Sequence, residues 1–362
     1  MTSFEDLPIR DDLRGLTPYG APQQPVRVAI NVNENPHHVP EVVARRIIEA
    51  IARELPGLNR YPDREFTALR EQLSIYLGHG ISPDQVWAAN GSNEIMQQLL
   101  QVFGGPGRSV LSFAPSYSMY PLLTRGVGST WVPVPRAHDF TLTDELVTEA
   151  IRRERPDVTI ICSPNNPTGT ATDLSVIAAA YDATEGILIV DEAYAEFLPD
   201  GEETALSLLP GRERLVVSRT MSKAFAFAGA RVGYFAADAA VVDAVRLVRL
   251  PYHLSAITQA AATAALECAE IMLEQVDAIR EQRDRLLTEL PPLGYTPWAS
   301  GANFVLFGGV ADPGRTFTEL LERDILVRDV GIPNTLRVTA GTRAETTAFL
   351  AALAEITNAG KA

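Results

Sequence analysis

The sequence predicts an α/β protein in which a large domain, with a mostly parallel sheet between helices, precedes a smaller α+β domain. Short continuous apolar runs of strand length alternate with helical patterns, which is typical of a parallel sheet covered on both faces. Near Pro251 this alternation gives way to one long helical pattern and a shorter mixed region. The length of 362 residues is also that expected of about two domains.

The elements of the large domain follow from hydrophobic periodicity. Amphipathic helices are predicted at 41–54 and 65–77, where apolar residues recur at helical spacing. Compact apolar runs are predicted as strands at 86–89, 109–113, 130–134, 158–162, 187–190, 215–218 and 232–236. Helical patterns separate many of these strands, at 92–103, 144–153 and 173–181.

Three regions follow from this order of elements. Residues 1–30 contain several prolines and little periodicity, so they are expected to form an extended N-terminal arm. Residues 31–250 are the predicted large domain. In the smaller domain, 251–362, one long helix is predicted over 255–290, because Pro291 and the proline after it end the pattern.

Charge and composition exclude several kinds of partner. The 31 Lys and Arg against 45 Asp and Glu give a net charge of −14, which repels a polyanionic backbone, so no nucleic acid is expected. An anionic small molecule can still bind if a local basic pocket exists. No apolar stretch approaches the roughly 18 residues of a membrane-spanning helix, and the acidic N-terminus is unlike a signal peptide. No membrane is therefore expected.

Cysteine and histidine usage argues against disulfides and metals. Cys162 and Cys268 lie far apart, so neither a disulfide framework nor a thiolate metal site is expected, and a reducing cytoplasm is the predicted location. His37 and His38 are adjacent, and adjacent side chains of an extended chain point in opposite directions. Phosphate-loop, dinucleotide-binding, nucleophile-elbow and zinc-protease motifs are missing from the sequence.

Four fragments carry the candidate chemistry, and they stand in one order along the chain. They are Ser163-Pro-Asn-Asn-Pro-Thr-Gly169, Asp191-Glu-Ala-Tyr194, Thr220-Met-Ser-Lys223 and Arg231. Taken singly, they are explained by a turn, a helix cap, a solvated lysine and half of a surface ion pair. Together they favour one kind of site, in which a carboxylate, an amine and a phosphate cradle hold a planar cofactor.

The chemistry of these residue types supports that interpretation. Asp191 is predicted at the carboxyl edge of the sheet, where open α/β folds bind ligands. A carboxylate there can keep a pyridine nitrogen protonated, which makes the ring an electron sink. Lys223 can form a Schiff base with an aldehyde cofactor if its amine is desolvated or near a cation, and Arg231 supplies that cation.

Other residues supply contacts for a phosphate and a ring. Donors suited to a phosphate come from Thr220, Ser222 and Arg231. The segment 87–94 predicts a strand, a tight glycine turn and a helix that starts at Ser92 and Asn93, and a helix N-terminus attracts anions. Tyr117 lies in a turn after a strand, where its ring can stack on a planar ligand; packing in the core is the alternative.

At these residues the chain resembles the fold-type I pyridoxal-phosphate aminotransferases, and within them the histidinol-phosphate aminotransferase family of the actinobacterial kind. The resemblance extends from Leu13 nearly to the end of the chain. The most telling fragments are Leu58-Asn-Arg-Tyr-Pro62, Ala88-Ala-Asn-Gly-Ser-Asn-Glu94, Arg219-Thr-Met-Ser-Lys-Ala-Phe225 and Val248-Arg-Leu-Pro-Tyr-His-Leu-Ser255. It implies the fold-type I architecture, with pyridoxal 5′-phosphate as the cofactor.

The resemblance also implies a role for each candidate residue. Lys223 is the catalytic residue that holds the cofactor, and Asp191 pairs with the pyridine nitrogen. Asn166 and Tyr194 bind the phenolic oxygen of the ring, and Tyr117 stacks on its face. The residues assigned to the cofactor phosphate are Ser92, Asn93, Thr220, Ser222 and Arg231.

Substrate contacts and assembly are implied in the same way. Tyr61 reaches in from the neighbouring subunit, which makes a homodimer with shared active sites. Arg337 is assigned to the α-carboxylate of the substrate. Arg328, with Tyr19 and Asn35 nearby, is assigned to the substrate phosphate.

The implied reaction is transamination of L-histidinol phosphate with 2-oxoglutarate to imidazole acetol phosphate and glutamate, in histidine biosynthesis. Histidinol phosphate has no α-carboxylate, so Arg337 must serve glutamate in the other half-reaction. The roles of Arg328 and Arg337 are therefore interchangeable on the sequence alone. An aromatic amino-acid aminotransferase is the alternative, since it uses the same residues with a different pocket.

Overall fold

The computed structural model describes residues 6–15, 20 and 22–359. Its strands, in chain order, are β1 Val28–Ala29, β2 Val86–Ala89, β3 Ser109–Ala114, β4 Thr130–Pro135, β5 Val158–Cys162, β6 Ile187–Asp191, β7 Leu215–Thr220, β8 Gly233–Ala237, β9 Thr296–Pro297, β10 Phe304–Gly308, β11 Ile325–Leu326 and β12 Thr335–Thr339. Its α-helices are α1 Glu41–Glu54, α2 Thr67–Leu77, α3 Ser92–Phe103, α4 Met119–Gly126, α5 Asp144–Glu154, α6 Leu174–Ala183, α7 Ala239–Arg246, α8 Ala256–Leu266, α9 Ala269–Glu289, α10 Pro313–Leu321 and α11 Arg343–Ala359.

A seven-stranded sheet forms the centre of the molecule, in the order β2-β8-β7-β6-β5-β3-β4. β8 is antiparallel to both of its neighbours, and the other neighbouring strands are parallel. Every residue of β5, β6 and β7 is buried, as expected for strands covered on both faces. The prediction of a mostly parallel sheet between helices is therefore confirmed.

The register of this sheet brings the candidate fragments to one edge. Cys162, the last residue of β5, lies opposite Asp191 at the end of β6, and Asp191 lies opposite Ser218 of β7. Parallel strands share a carboxyl edge, so the segments that follow β5, β6 and β7 all begin there. These segments contain the fragments that the sequence singles out.

A smaller sheet forms near the end of the chain. Strands β9, β10 and β12 are antiparallel, in the order β12-β10-β9, and α10 packs against β12. The short strand β1 pairs in parallel with β11, with Val28 opposite Ile325. The segment before α1 is thereby attached to the C-terminal region. The predicted boundaries of an arm and two domains, at 30/31 and 250/251, stay predictions.

The prediction of a single helix over 255–290 is wrong, because the structure has two helices there, α8 and α9. The chain bends by 74° at their junction. α8 packs against α1 and α2, whereas α9 packs against β10 and α11, and a straight helix could not reach both surfaces. Within the described residues, no single helix is long and apolar enough to cross a membrane, although this bent pair meets those criteria when Ala256–Leu266 and Ala269–Leu293 are counted together.

A buried ion pair ties β7 to the segment after β6. The guanidinium of Arg219 lies 2.8 Å from a carboxylate oxygen of Glu192 and 3.8 Å from one of Glu196, and all three side chains are buried. Glu192 also accepts a hydrogen bond of 2.6 Å from the backbone N–H of Ala205. Burial raises the pKa of Glu196, while the nearby Arg219 lowers it. The cation therefore offsets the desolvation of two carboxylates.

Replacing Arg219 with methionine should lower the free energy of unfolding by about 3–5 kcal/mol, because it leaves buried carboxylates without their cation. Urea unfolding at equal protein concentration measures the difference. Arg155→Met is the control, since its guanidinium meets Glu185 at 3.8 Å on the exposed surface and the change should lower stability by at most about 1 kcal/mol. Equal losses in the two variants would contradict the importance of the buried pair.

Candidate active site

A cavity of about 590 Å³ opens at the carboxyl edge of β5, β6 and β7. This volume is typical of a site for a small molecule or cofactor. Most of the site residues predicted from the sequence line it: Ser92, Asn93, Tyr117, Asn166, Asp191, Tyr194, Thr220, Ser222, Lys223, Arg231, Arg328 and Arg337. The fold therefore brings together side chains from distant segments of the chain.

Asp191 is the last residue of β6, and its buried carboxylate faces the cavity. The hydroxyl of Tyr120 donates a hydrogen bond of 2.7 Å to Oδ2, and the hydroxyl of Ser218 donates one of 3.2 Å to Oδ1. Burial raises the pKa of this carboxyl above its ordinary value, and the two hydroxyl donors oppose that shift. A cationic ligand group opposite Asp191 would favour the ionised form further.

Lys223 follows β7 and is half-buried. Its Nζ donates a hydrogen bond of 3.1 Å to the backbone oxygen of Val32. Burial, together with the positive charges of Arg337 and Arg231, lowers the pKa of its amine from 10.5 to about 8, while Glu34 opposes this shift. Arg337 has a larger effect than Arg231, so the cation assigned to Arg231 from the sequence is only part of the field.

Arg337 also fixes the orientation of Asn166. Its Nη1 donates a hydrogen bond of 2.6 Å to Oδ1 of Asn166, and its Nη2 donates one of 2.8 Å to the backbone oxygen of Asn31. A guanidinium can only donate, so it selects the oxygen of the Asn166 amide. The amide nitrogen is left to donate to the Tyr194 hydroxyl, at 3.3 Å.

The turn before α3 leaves space for a small anion. Gly91 has a φ of +88°, and a Cβ built there would lie 2.5 Å from Nη2 of Arg231. A Cβ at Gly233 would lie 2.2 Å from the backbone nitrogen of Ser92. Both positions require glycine, because a Cβ at Gly91 would clash with the Arg231 guanidinium and a Cβ at Gly233 would clash with the backbone of the turn. N–H groups of the first helical turn lack partners within the helix and suit an anion there.

Hydroxyl groups complete this corner of the cavity. The Thr220 hydroxyl donates to that of Ser222 at 3.0 Å and accepts the backbone N–H of Ser222 at 3.1 Å. The half-buried Tyr117 donates from its hydroxyl to Oδ1 of Asn93, at 3.2 Å. This corner therefore contains several polar hydrogens suited to phosphate oxygens.

Arg328 and Arg337 enter the cavity from neighbouring positions of the C-terminal region. Their backbones exchange two hydrogen bonds, of 3.0 and 2.9 Å. Arg337 is buried, with its guanidinium over the ring of Phe304. Arg328 is half-buried, and its guanidinium has no hydrogen-bond or ion-pair partner among residues 6–15, 20 and 22–359. It is therefore available to an anionic ligand.

Two of the predicted site residues that the structure describes do not line this cavity. Asn35 is half-buried, and its side chain donates 3.1 Å to the backbone oxygen of Ala224, the residue after Lys223. Tyr61 is 80% exposed and stacks on Tyr252, with ring centroids 4.5 Å apart. Tyr19 lies outside the described residues.

Comparison with known proteins agrees with this geometry. The family model of class I and II aminotransferases matches residues 26–353. The chain belongs to this family. Two proteins named histidinol-phosphate aminotransferase resemble this aminotransferase over nearly their whole length. That of Paenarthrobacter aurescens is 58% identical over 97% of this chain and 95% of its own, and that of Thermobifida fusca is 52% identical over 99% and 98%.

A solved structure supports the same relationship. Histidinol-phosphate aminotransferase from Sinorhizobium meliloti, in complex with pyridoxal 5′-phosphate, matches the fold with a TM-score of 0.82 and 26% identity, over 92% of each chain. The fold-type I architecture and an aminotransferase that uses pyridoxal 5′-phosphate are thus confirmed.

The cavity of this aminotransferase fits that cofactor on its own chemistry. It offers a buried carboxylate for a ring nitrogen and an amine of lowered pKa for an aldehyde. The helix N-terminus at Ser92 and Asn93, which lines the cavity together with Arg231, suits the phosphate. Each polar part of the cofactor therefore has a matching group.

Several contributors to the site have no motif in the sequence. Tyr120 and Ser218 hold Asp191, and Val32 and Asn33 contact Lys223 and Tyr194. Of these residues, only Ser218 could have been found from a local pattern. It lies in the apolar run before Lys223, and parallel strands place that position beside Asp191. The others depend on contacts between segments far apart in the sequence.

The lowered pKa of Lys223 can be tested with an amine reagent, because the lysines of the chain are Lys223 and Lys361 alone. Trinitrobenzenesulfonate attacks neutral amines, so labelling of Lys223 in the apoprotein should have a midpoint near pH 8. Arg337→Met should raise that midpoint, because a neighbouring positive charge that disfavours the ammonium is removed. Peptide mass spectrometry separates the two lysines and gives the extent of labelling of each.

Two controls accompany this measurement. The midpoint for Lys361 should be the same in all variants. Arg328 lines the same cavity, but its charge does not contribute to the lowered pKa of Lys223. The labelling midpoint of Lys223 in Arg328→Met should therefore stay near that of the unchanged protein. An unchanged midpoint in Arg337→Met would contradict a contribution of Arg337 to the lowered pKa.

Proposed function

We propose that this aminotransferase transfers the amino group of L-histidinol phosphate to 2-oxoglutarate, which gives imidazole acetol phosphate and glutamate, as a step of histidine biosynthesis. The observation that carries the proposal is the set of guanidinium groups of Arg231, Arg328 and Arg337 around one cavity, in a chain with a net charge of −14. The names of the two relatives described above support it.

The cations can be divided between cofactor and substrates. Arg231 lies against the glycine turn before α3, so we assign the cofactor phosphate to Arg231, Ser92, Asn93, Thr220 and Ser222. Arg328 and Arg337 remain for the substrates. Glutamate has two carboxylates, whereas histidinol phosphate has one phosphate and no carboxylate. We assign Arg337 to the α-carboxylate of glutamate and Arg328 to the phosphate of histidinol phosphate.

Each polar residue then has a defined task. When bound, pyridoxal 5′-phosphate supplies an aldehyde that exchanges with the substrate amine and a protonated ring that withdraws electrons. The Asp191 carboxylate keeps the ring nitrogen protonated, and Asn166 and Tyr194 donate to the phenolic oxygen. Tyr117 covers the ring face. Lys223, with a pKa of about 8, is neutral in a large fraction of molecules near that pH and can accept a proton at Nζ from the amine-bearing carbon of the substrate.

We further propose that the protein is a homodimer in which Tyr61 completes the site of the partner subunit. Leu247 and Leu250 are 86% and 74% exposed, close in sequence to Tyr252, on which Tyr61 stacks. Exposed apolar groups gathered in one region mark an interaction surface. A second copy of this chain can cover them symmetrically and receive the Tyr61 side chain.

A cytoplasmic location stays a prediction. Cys162 and Cys268 are both buried and form no disulfide, which is compatible with a reducing compartment.

Arg328→Met should reduce kcat/KM for histidinol phosphate far more than for phenylalanine. Hydrogen bonds to charged groups contribute about 1.5–3 kcal/mol, so the loss for the phosphate substrate should be about 10–100-fold. Phenylalanine has no phosphate, and Arg337 remains for its carboxylate. Both substrates are measured at fixed 2-oxoglutarate, in the parent protein and the variant. An equal loss would show that Arg328 binds a shared carboxylate or maintains structure, and a parent preference for phenylalanine would favour an aromatic aminotransferase.

Shared active sites can be tested by mixing two inactive variants. Lys223→Ala should lose nearly all turnover, because it removes the amine that moves the proton, and Tyr61→Ala should also be impaired. A hybrid dimer of the two has one site with both residues intact. Unfolding and refolding an equimolar mixture should therefore restore about a quarter of the parent activity, from half of the dimers with one site each.

The comparison for this experiment is Lys223→Ala mixed with the double variant Lys223→Ala, Tyr61→Ala. No dimer in that mixture has an intact site, so activity should not return. Failure of the first mixture to exceed the activity of Tyr61→Ala alone would contradict a site shared between subunits.

A further inference from the structure

Asn33 is a buried residue whose polar atoms are all engaged near the cofactor cavity. It lies between β1 and α1 with a φ of +58°, a left-handed conformation that asparagine adopts more readily than most residues. Its backbone N–H donates to the Thr339 hydroxyl at 3.0 Å, and its backbone oxygen accepts from the Asn303 amide at 3.1 Å. Its side-chain nitrogen donates to the Tyr194 hydroxyl, also at 3.0 Å.

Thr339 determines which end of the Asn33 amide faces Tyr194. A threonine hydroxyl has one proton and can accept hydrogen bonds as well. Here it accepts from the backbone N–H of Asn33 and donates its proton to Oδ1 of the same residue, at 3.1 Å. The Asn33 amide oxygen is thereby occupied, and its nitrogen must face Tyr194.

The Tyr194 hydroxyl accepts from two amides and gives its proton to neither. The nitrogen of Asn33 donates to it at 3.0 Å and that of Asn166 at 3.3 Å. Burial raises the pKa of this phenol above its ordinary value, so it keeps its proton at neutral pH. With its acceptor positions used by two donors, the hydroxyl can donate only to a third group, and it lines the cavity.

We propose that Asn33 is a positioning residue that directs the proton of Tyr194 to the phenolic oxygen of pyridoxal 5′-phosphate, and that Thr339 fixes Asn33 for this task. The inference rests on the proposed contact between Tyr194 and that oxygen. Thr339 and Arg337 lie two residues apart on β12, so one strand sets both amides that donate to Tyr194, through Asn33 and through Asn166. The ligand group that this network recognises is one acceptor oxygen on a planar ring.

The test compares binding of two cofactors to the apoprotein: pyridoxal 5′-phosphate and its 3-deoxy analogue, which lacks the phenolic oxygen. Asn33→Asp keeps the size of the side chain but replaces the donor with an acceptor, so the Tyr194 proton should turn to the new carboxylate. The preference for the natural cofactor, expressed as the ratio of the two Kd values, should then fall about 10-fold. Tyr194→Phe should lower the same ratio, and Asn33→Asp should add nothing in that background.

Matched variants separate positioning from a general structural role. Asn31→Asp makes the same change two residues earlier at a buried side chain that donates to the backbone oxygen of Pro22, and should leave the ratio unchanged. Thr339→Val removes the hydroxyl and should lower the ratio, whereas Thr339→Ser retains it and should not. The Thr339 pair keeps the test decisive if Asn33→Asp does not fold.

The outcomes distinguish the two proposals. If Tyr194→Phe lowers the ratio but Asn33→Asp and Thr339→Val do not, the positioning role of Asn33 is overturned while the Tyr194 contact stands. If Tyr194→Phe leaves the ratio unchanged, both fall. No substrate is used, so neither result bears on the choice of histidinol phosphate.

Discussion

The burial of the Asp191 carboxylate at the end of β6 constrains the residues around it. A carboxylate removed from water is destabilising unless donors replace the solvent. The donors come from Tyr120 of α4 and Ser218 of β7, so a helix and a neighbouring strand must meet at this point. The same edge then places the segments of Tyr194 and Lys223 beside Asp191. Positions that look independent along the chain are therefore linked by the need to solvate one charge.

The cavity is a basic region inside an acidic protein. The guanidinium groups of Arg337 and Arg231 disfavour the charged form of the Lys223 amine, while Asp191, which lines the same cavity, favours a cationic ring. The amine therefore needs positive charge near it and the ring needs negative charge near it, within one cavity. Arg337 of the C-terminal region supplies part of the positive charge. The net charge of the chain does not indicate this local positive charge, because the acidic residues lie mostly on the surface.

The sequence predicts the central sheet and most cavity residues because both depend on local patterns. The strands are short apolar runs, and Asp191 and Lys223 directly follow two of them. Helices α4 and α7 are too short for a clear period, and the break between α8 and α9 depends on what each helix packs against. The contacts of Asn33 with Thr339 and of Arg337 with Asn166 join distant segments, so no local pattern in the sequence predicts them.

The attachment of β1 to β11 sets a sequence of events during synthesis. Asn33 and Thr339 are 306 positions apart, and a ribosome that adds roughly 5–20 residues per second separates their emergence by about 15–60 seconds. In the last part of that interval, a nascent chain that already carries Asp191 and Lys223 still lacks β11, β12, Arg328 and Arg337. The segment that contains β1 and Asn33 therefore lacks its partner strand until translation is nearly complete. We expect tight binding of the cofactor in the finished polypeptide and not in the growing one.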